Sequence, residues 1–444
     1  MSYSKDNLAW LGTIPDHWQV SKLRQVLSPF SEKNYPDMPL LSVVREKGVI
    51  IRNVESKEEN HNYVPDDLSN YKLVKQGQFT MNKMKAWQGS YGVSKYEGIL
   101  SPAYFVFNFK CDINRDFFNA AIRSKAYVSY FGQASDGIRV GQWDLSMARM
   151  KDIPFLVPPR EEQDQIVRFL DWKVSGINKL IAVKQKQIAT LKEFMQAEIE
   201  EQLYAYPVVS VVRLKQLGTF FKGGGFSRDN LVEDEDYPAI LYGDIYTQYE
   251  YKTSIITHHI DGNAYSTSRK ISKGDIVMAG TGETKDEIGK SILYMGEQIV
   301  AVGGDVIVFH PNEGTNVEYL LYQLYSQAAL KHRYINGKGD IIVHIYPTAL
   351  GNTIITLPGE ADQNKAVARI NEIIDQVNKA ITVLTDEISV LRECRVRLVA
   401  DTVTGKIDVR GIEIPEYEFV DEDTDADNED DGEEDTEEQE GAEE

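Results

Sequence analysis

Two stretches of the chain place apolar residues at spacings that alternate between four and three. The first register runs Leu170, Val174, Ile177, Ile181, Lys184, Ile188, Leu191 and Met195. The second runs Ile370, Ile374, Val377, Ile381, Leu384, Ile388, Leu391 and Arg395. A mean period near 3.5 keeps one apolar seam on one side of an α-helix, facing a partner helix. The pattern predicts two long amphipathic helices that pair as a coiled coil, with these apolar residues as the seam. At about 1.5 Å per residue, some 40 residues make a rod of roughly 60 Å. Such a rod separates whatever its ends carry. Pro159 suits the first position of the first helix, and Glu161 and Glu162 lie in its first turn beside the positive dipole end.

Outside these stretches the periodicity shortens to that of strands. Residues 104–109, 305–309 and 341–345 are β-branched or aromatic runs, separated by Gly/Asn/Asp clusters such as Gly223-Gly224-Gly225, Gly303-Gly304 and Gly337-Lys338-Gly339-Asp340. Helices fit residues 114–130 and 317–330.

The chain also repeats itself. Residues 177–193 recur at 377–393, at an offset of 200 and with 7 of 17 positions identical. Upstream, Ser21-Lys22-Leu23-Arg24-Gln25-Val26 matches Val212-Arg213-Leu214-Lys215-Gln216-Leu217, and residues 75–81 match 272–278. The expected organisation is an α+β domain used twice. Strand-rich domains at 1–157 and 206–357 are each followed by a long helix, at 158–205 and 358–404, and a segment from 405 to 444 closes the chain.

The charge modifies this picture. The 444 residues carry 48 Lys+Arg against 69 Asp+Glu, a net charge of −21, which by itself argues against a nucleic-acid partner. Yet 18 of the acids lie between Glu416 and Glu444, a stretch without Lys or Arg, so the body holds 51 acids against 48 bases, a net of −3. The acidity belongs to a tail too charged to bury a core, which either only solvates the chain or competes with DNA for its basic surface. The two cysteines, Cys111 and Cys394, allow neither a disulfide framework nor a cysteine zinc site. No apolar run reaches the roughly 20 residues of a membrane span, and the first residues lack a signal-peptide core. A cytoplasmic protein is expected, with no membrane partner.

No constellation with catalytic spacing emerges. Gly280 to Thr284, followed by Gly289-Lys290-Ser291, has phosphate-loop residue types, but Thr284 stands where the first glycine of that motif belongs. This string reads as a turn or a DNA-contacting loop. Asp37 with Glu55 and Lys57 loosely matches metal-dependent nucleases. His258-His259 has no further ligand at metal spacing.

Binding chemistry is better represented. The stretch Asn82-Lys83-Met84-Lys85-Ala86-Trp87-Gln88-Gly89-Ser90-Tyr91 interleaves amide, basic and aromatic groups around a glycine. Lysines suit phosphates, and Asn, Gln and Arg can read base edges. Arg139, Gln142 and Trp143 continue this character. Lys222, Ser227, Arg228, Thr284, Lys285, Lys290 and Lys338 provide it in the second half. These residues are the candidate DNA contacts; no catalytic or metal-binding residue is assigned.

Together these features resemble the specificity subunits of type I restriction–modification systems, over about residues 8–410. Ile14-Pro15-Asp16-His17-Trp18 resembles the family's opening motif. Val157-Pro158-Pro159-Arg160-Glu161-Glu162-Gln163 resembles the motif that closes a recognition domain and starts a spacer helix. Residues 403–410 resemble the end of the second spacer. In the second copy, Leu357-Pro358-Gly359-Glu360-Ala361-Asp362-Gln363, Gly replaces the second Pro and Asp replaces a Glu.

The resemblance implies a DNA-binding subunit without catalysis. Each domain would read half of a bipartite double-stranded target, while the helices set the spacing and dock two methylation subunits. Restriction subunits would join this core. S-adenosylmethionine, ATP and Mg²⁺ would belong to the partners, and this chain would need no cofactor. The alternatives are a self-contained nuclease using Asp37, Glu55 and Lys57, and a protein-binding scaffold.

Overall fold

The computed structural model describes residues 14–45, 47–52, 65, 67–136, 143–233, 237–340 and 342–421. The chain forms two compact units: Met1–Gln185 with Thr385–Glu444, and Lys186–Leu384.

Each unit is a mixed α+β body that incorporates part of both long helices, Arg160–Tyr204 and Glu360–Val403. At about 1.5 Å per residue the 45-residue first helix is roughly 68 Å long. In the first unit the helices run antiparallel: Arg395 donates to the Asn178 side chain at 3.0 Å, and Lys184 pairs with Glu387 at 2.6 Å. The core there joins Ile166, Phe169 and Leu170 of one helix to Val403 of the other. In the second unit Met195, Ile199 and Leu203 share a core with Ile370, Ile373, Ile374 and Val377. Of the expected seam, Leu170, Ile181, Ile370, Ile374, Val377 and Ile388 are buried. Val174, Ile177, Ile188, Leu191, Ile381, Leu384 and Leu391 are half-buried.

The sheets repeat the sequence repeat. In the first unit strand Phe79–Met81 lies between Phe105–Phe109 and Tyr91–Val93, and Leu27–Phe30 flanks the former. In the second, Ile276–Ala279 lies between Val306–Pro311 and Ser291–Tyr294, with Gly218–Lys222 flanking and Lys252–Thr253 added at the far edge. A strand pair closes each domain near its helix: Gln19–Lys22 with Pro154–Val157, and Val208–Arg213 with Ile354–Pro358. Local caps recur as well. The Gln25 side chain accepts from Lys22 N–H, and Gln216 does so from Arg213 N–H, both at 2.8 Å.

Both expected domain helices are broken. Residues 114–130 contain Arg115–Ile122 and the start of Lys125–Gln133; residues 317–330 contain Val317–Leu324 and the start of Gln327–Asn336. Ser124 and Ser326 adopt extended backbone and begin the second helix of each pair, a break that apolar spacing does not register. Of the run 341–345, only Val343–His344 is described as strand.

Three distant motifs meet in the first unit. His17 Nε2 and Trp18 Nε1 reach the two carboxylate oxygens of Glu162 at 2.7 and 3.0 Å. Gly405, just past the second long helix, packs on Pro15 and Trp18 with φ +80°. The helix starts are alike: Gln163 and Gln363 donate to the Pro158 and Pro358 carbonyls at 2.8 and 2.9 Å. The Gly and Asp replacements in the second copy leave the start of the helix in place, at Glu360.

Candidate nucleic-acid interface

In the first unit, the segment after strand Phe79–Met81 is pinned by Ala86, which is fully buried, and makes a short 3-10 turn at Ala86–Gln88. Gly89, at φ +98°, reverses it toward strand Tyr91–Val93; a left-handed residue here favours glycine. The segment around Trp143 comes to lie beside it. Leu145 N–H donates to the Lys83 carbonyl at 3.0 Å, and Lys83 Nζ pairs with Asp144 at 2.8 Å. The Trp87 and Trp143 rings stand 5.3 Å apart at 50°. Trp87 Nε1 donates to the Met84 carbonyl at 3.1 Å, which fixes the ring's orientation.

Lys83, Lys85, Trp87, Gln88 and Trp143 are therefore part-exposed members of two adjoining segments. Asn82 and Tyr91 are not surface groups. Asn82 is buried, donating to Tyr104 Oη and accepting from Met84 N–H. Tyr91 is fully buried against Phe131, ring centroids 4.7 Å apart, and burial raises its phenol pKa. Arg139 and Gln142 lie outside the described residues, as do Glu55 and Lys57.

Sequence reasoning missed part of this cluster. Burial holds the Lys72 ammonium below the usual lysine range, and the nearby charges of Lys33 and Lys83 push it the same way. Lys33, Lys72 and Lys83 thus lie near enough to influence one another, with Lys83 also paired to Asp144. Lys72 Nζ donates to the Tyr104 carbonyl at 2.6 Å. Lys33 and Lys72 come from separate segments without a motif, so only the fold gathers them.

The second unit builds its counterpart from the same backbone frame. Ile345 N–H donates to the Gly280 carbonyl at 2.9 Å, and strand Thr281–Gly282 pairs with Val343–His344. Thr281 Oγ1 lies 3.0 Å from His344 Nδ1, and exposed Lys338 flanks His344. Thr284 is exposed and Lys285 half-exposed, but Glu283, Asp286 and Glu287 surround them. The Lys290 ammonium is turned inward to the Tyr246 carbonyl at 3.1 Å, and burial lowers its pKa.

Lys222 faces Asp305, whose carbonyl accepts from Gly280 N–H at 2.8 Å. Ser227 and Arg228 are exposed on a short 3-10 turn. The intervening glycines serve packing. A side chain on Gly223 would collide with the Gly303 carbonyl, and Gly225 sits at φ +101° against Ser268.

Arg333 is the other residue that sequence reasoning passed over. It is buried and donates to the Gly289 carbonyl at 2.6 Å and to Ser291 Oγ at 3.3 Å, while its Nε has no partner. Burial lowers its pKa. Among the described residues it has no salt-bridge carboxylate. It anchors the end of the 281–289 loop, while the Tyr246 hydroxyl bonds the Thr281 carbonyl at its start at 3.1 Å.

The described residues contain no group of three or more His, Cys, Asp or Glu that could hold a metal; His258 pairs with Asp244 at 2.9 Å. Among them, no helix is long and apolar enough to cross a membrane. Cys111 and Cys394 are free and exposed.

The sequence profile of the type I restriction modification DNA specificity domain matches residues 15–192 and again 208–390. No curated protein matches the sequence. A solved chain, from work on the structural basis of complex assembly and conformational transition of the type I R-M system, is similar with a TM-score of 0.61 and 15% identity. The match covers 89% of this chain and 100% of that one. The HsdS subunit from Thermoanaerobacter tengcongensis follows with a TM-score of 0.44 and 15% identity, covering 89% and 98% of the two chains. The type I restriction-modification S subunit from M. genitalium has a TM-score of 0.36 and 12% identity, covering 88% and 96%.

Proposed function

The chain belongs to the family of type I restriction–modification DNA specificity subunits, and we propose that it supplies the address of such a complex without performing catalysis. The domains at 1–157 and 206–357 each read one half of a bipartite double-stranded DNA target. The paired helices, at 158–205 and 358–404, set the half-site separation and dock two methylation subunits. Restriction subunits join that core. S-adenosylmethionine, ATP and Mg²⁺ act in the partners, and the complex works in the cytoplasm.

One observation carries the reading. Each domain is fixed to its own long helix by the same contacts. Asn114 caps Arg115–Ile122 and donates to Asp164 at 2.7 Å; Asn316 caps Val317–Leu324 and donates to Asn364 at 2.8 Å. A reader seated firmly on a helix turns half-site spacing into a geometric quantity. The helices also expose apolar residues at repeat-related positions, Val183 at 48% and Val383 at 57%. Equivalent positions on two repeated helices suit two copies of one protein partner.

Methylome sequencing with and without the gene tests the proposal. A bipartite adenine-methylated motif should vanish on deletion, and an unchanged methylome would refute it. Metal-dependent DNA cleavage by the purified chain, lost in Asp37→Ala, would instead support the nuclease alternative. DNA affinity unaltered by replacing Lys83, Lys85 and Trp87 would support the protein-binding scaffold.

A further inference from the structure

The segment after the second long helix does not leave the molecule directly. It runs along the first long helix within the first unit, both numbers rising together. Gln165 Nε2 donates to the carbonyls of Val409 and Ile412, at 3.2 and 2.7 Å. Further along, Ser175 Oγ donates to the Glu418 carbonyl at 3.0 Å and accepts from Val420 N–H at 2.7 Å. Asn178 Nδ2 donates to the Val420 carbonyl at 3.2 Å, and Lys179 pairs with Glu418 at 3.3 Å. Ser175 is consequently buried at 2% exposure, unusual for a polar helix residue; Asn178, at 6%, is held both by this segment and by Arg395 of the second long helix.

The repeat supplies the comparison. At the 200-residue offset, Ser175, Asn178 and Lys179 correspond to Asp375, Asn378 and Lys379. Asp375 and Lys379 are exposed and Asn378 is half-buried. No hydrogen bond or ion pair engages the Asn378 or Lys379 side chain among the described residues. Of the same Asn-Lys pair, the first copy is engaged by this segment, with Arg395 also holding Asn178, while the second copy is open. The covering segment lies beyond residue 390, where the specificity-domain match ends.

We propose that residues 416–421 are a strap covering one of two repeat-related docking surfaces, so that the two methylation subunits meet unequal sites. This rests on the docking role proposed above. The strap is built to be displaced. Tyr417 and Phe419 are 39% and 62% exposed, and the segment is held mainly through its own backbone and one exposed ion pair. Such a pair contributes little. A subunit that docks over residues 375–379 on the open surface has to lift the strap from Ser175 and the Asn178 amide, and break the Lys179–Glu418 pair, to dock in the same way over residues 175–179.

The test compares the full chain with versions ending at Asp421 and at Pro415, each titrated with the methylation subunit of the same locus by native mass spectrometry. The full chain and the Asp421 version should bind the second subunit about ten-fold more weakly than the first. The Pro415 version should bind both equally. Ser175→Val in the full chain loosens the strap without truncation and should narrow the gap. Identical two-step binding in all forms would overturn the strap, as would equalisation already in the Asp421 version, which would assign the effect to the acidic tail. Binding of no methylation subunit by any form would sink the docking role itself, and the strap with it.

Discussion

Gly405→Ala probes the closure of the first unit. The second long helix ends at Val403; Gly405 N–H donates to the Thr402 carbonyl at 3.1 Å and Lys406 N–H to the Asp401 carbonyl at 2.9 Å. Gly405 makes that turn at φ +80°, the left-handed conformation typical just past a helix end. A methyl there would stand 2.5 Å from Pro15 Cδ and 3.2 Å from Trp18 Cη2. The left-handed backbone costs about 1–2 kcal/mol for a residue with a Cβ. Overpacking against the Pro15 ring adds about 1–3 kcal/mol. The stiffer unfolded chain returns roughly 0.4–1 kcal/mol. The net is a loss of about 2–4 kcal/mol, or an opening equilibrium increased about 30- to 700-fold.

The assay must be local, because a single melting temperature is ill-defined for a chain with two units. Hydrogen exchange of peptides covering residues 14–26 and 398–412 should accelerate in Gly405→Ala. Peptides covering 354–377 should exchange as before. Gly176→Ala is the control. It lies within the first long helix with nothing within 4 Å of a new Cβ, so it should stabilise by about 0.5–1 kcal/mol. Unchanged exchange at residues 14–26 in Gly405→Ala would refute the packing of Gly405 on Pro15 and Trp18.

Three other outcomes are expected. Trp87→Ala and Trp143→Ala should weaken discrimination in one half of the target through lost apolar contact with base edges, read as relaxed methylation at those positions only. Replacing Lys33, Lys72 and Lys83 together should weaken DNA binding across all sequences and reduce the slope of log K against log salt by about 0.9 per lost phosphate contact; an unchanged slope would remove them from the interface. Arg410 holds Asp408 down to about 2 from the ordinary 3.8, first through its side chain and then through its N–H. Because the folded value is depressed, the stabilisation is complete above pH 3.8 and lost as pH falls through about 2. An NMR titration should show the carboxyl rising toward the ordinary value in Arg410→Ala, while staying below it because the N–H of residue 410 is retained.

What could be read from the sequence was what is local or periodic. The seam from Leu170 to Leu391 follows from spacing alone, and the doubled layout from the 200-residue offset. Long-range pairings could not be read: nothing near Gln19 announces Val157 as its strand partner. The helix breaks at Ser124 and Ser326 escaped because apolar spacing continues across a cap. Tyr91 was misplaced because an aromatic residue beside a glycine turn reads as a surface group. Its burial depends on Phe131, 40 positions away in the chain.

That last pair explains how one frame supports two different surfaces. Phe131 lies seven positions after Ser124, and Arg333 seven after Ser326; Tyr91 and Ser291 are 200 residues apart in matching strands. In the first unit the position is filled by two packed rings, Tyr91 and Phe131. In the second, Arg333 reaches Ser291 and the Gly289 carbonyl instead. The frame bonds from Leu145 and Ile345 to the neighbouring loop are retained in both. Rings support the loop above them by shape, whereas the buried guanidinium donates to the Gly289 carbonyl and to Ser291 Oγ at the end of the loop, and the Tyr246 hydroxyl to the Thr281 carbonyl at its start. The filling beneath the loop thus differs between the units while the strand frame and the caps are kept. Two readers in one chain can therefore diverge without losing their common seat.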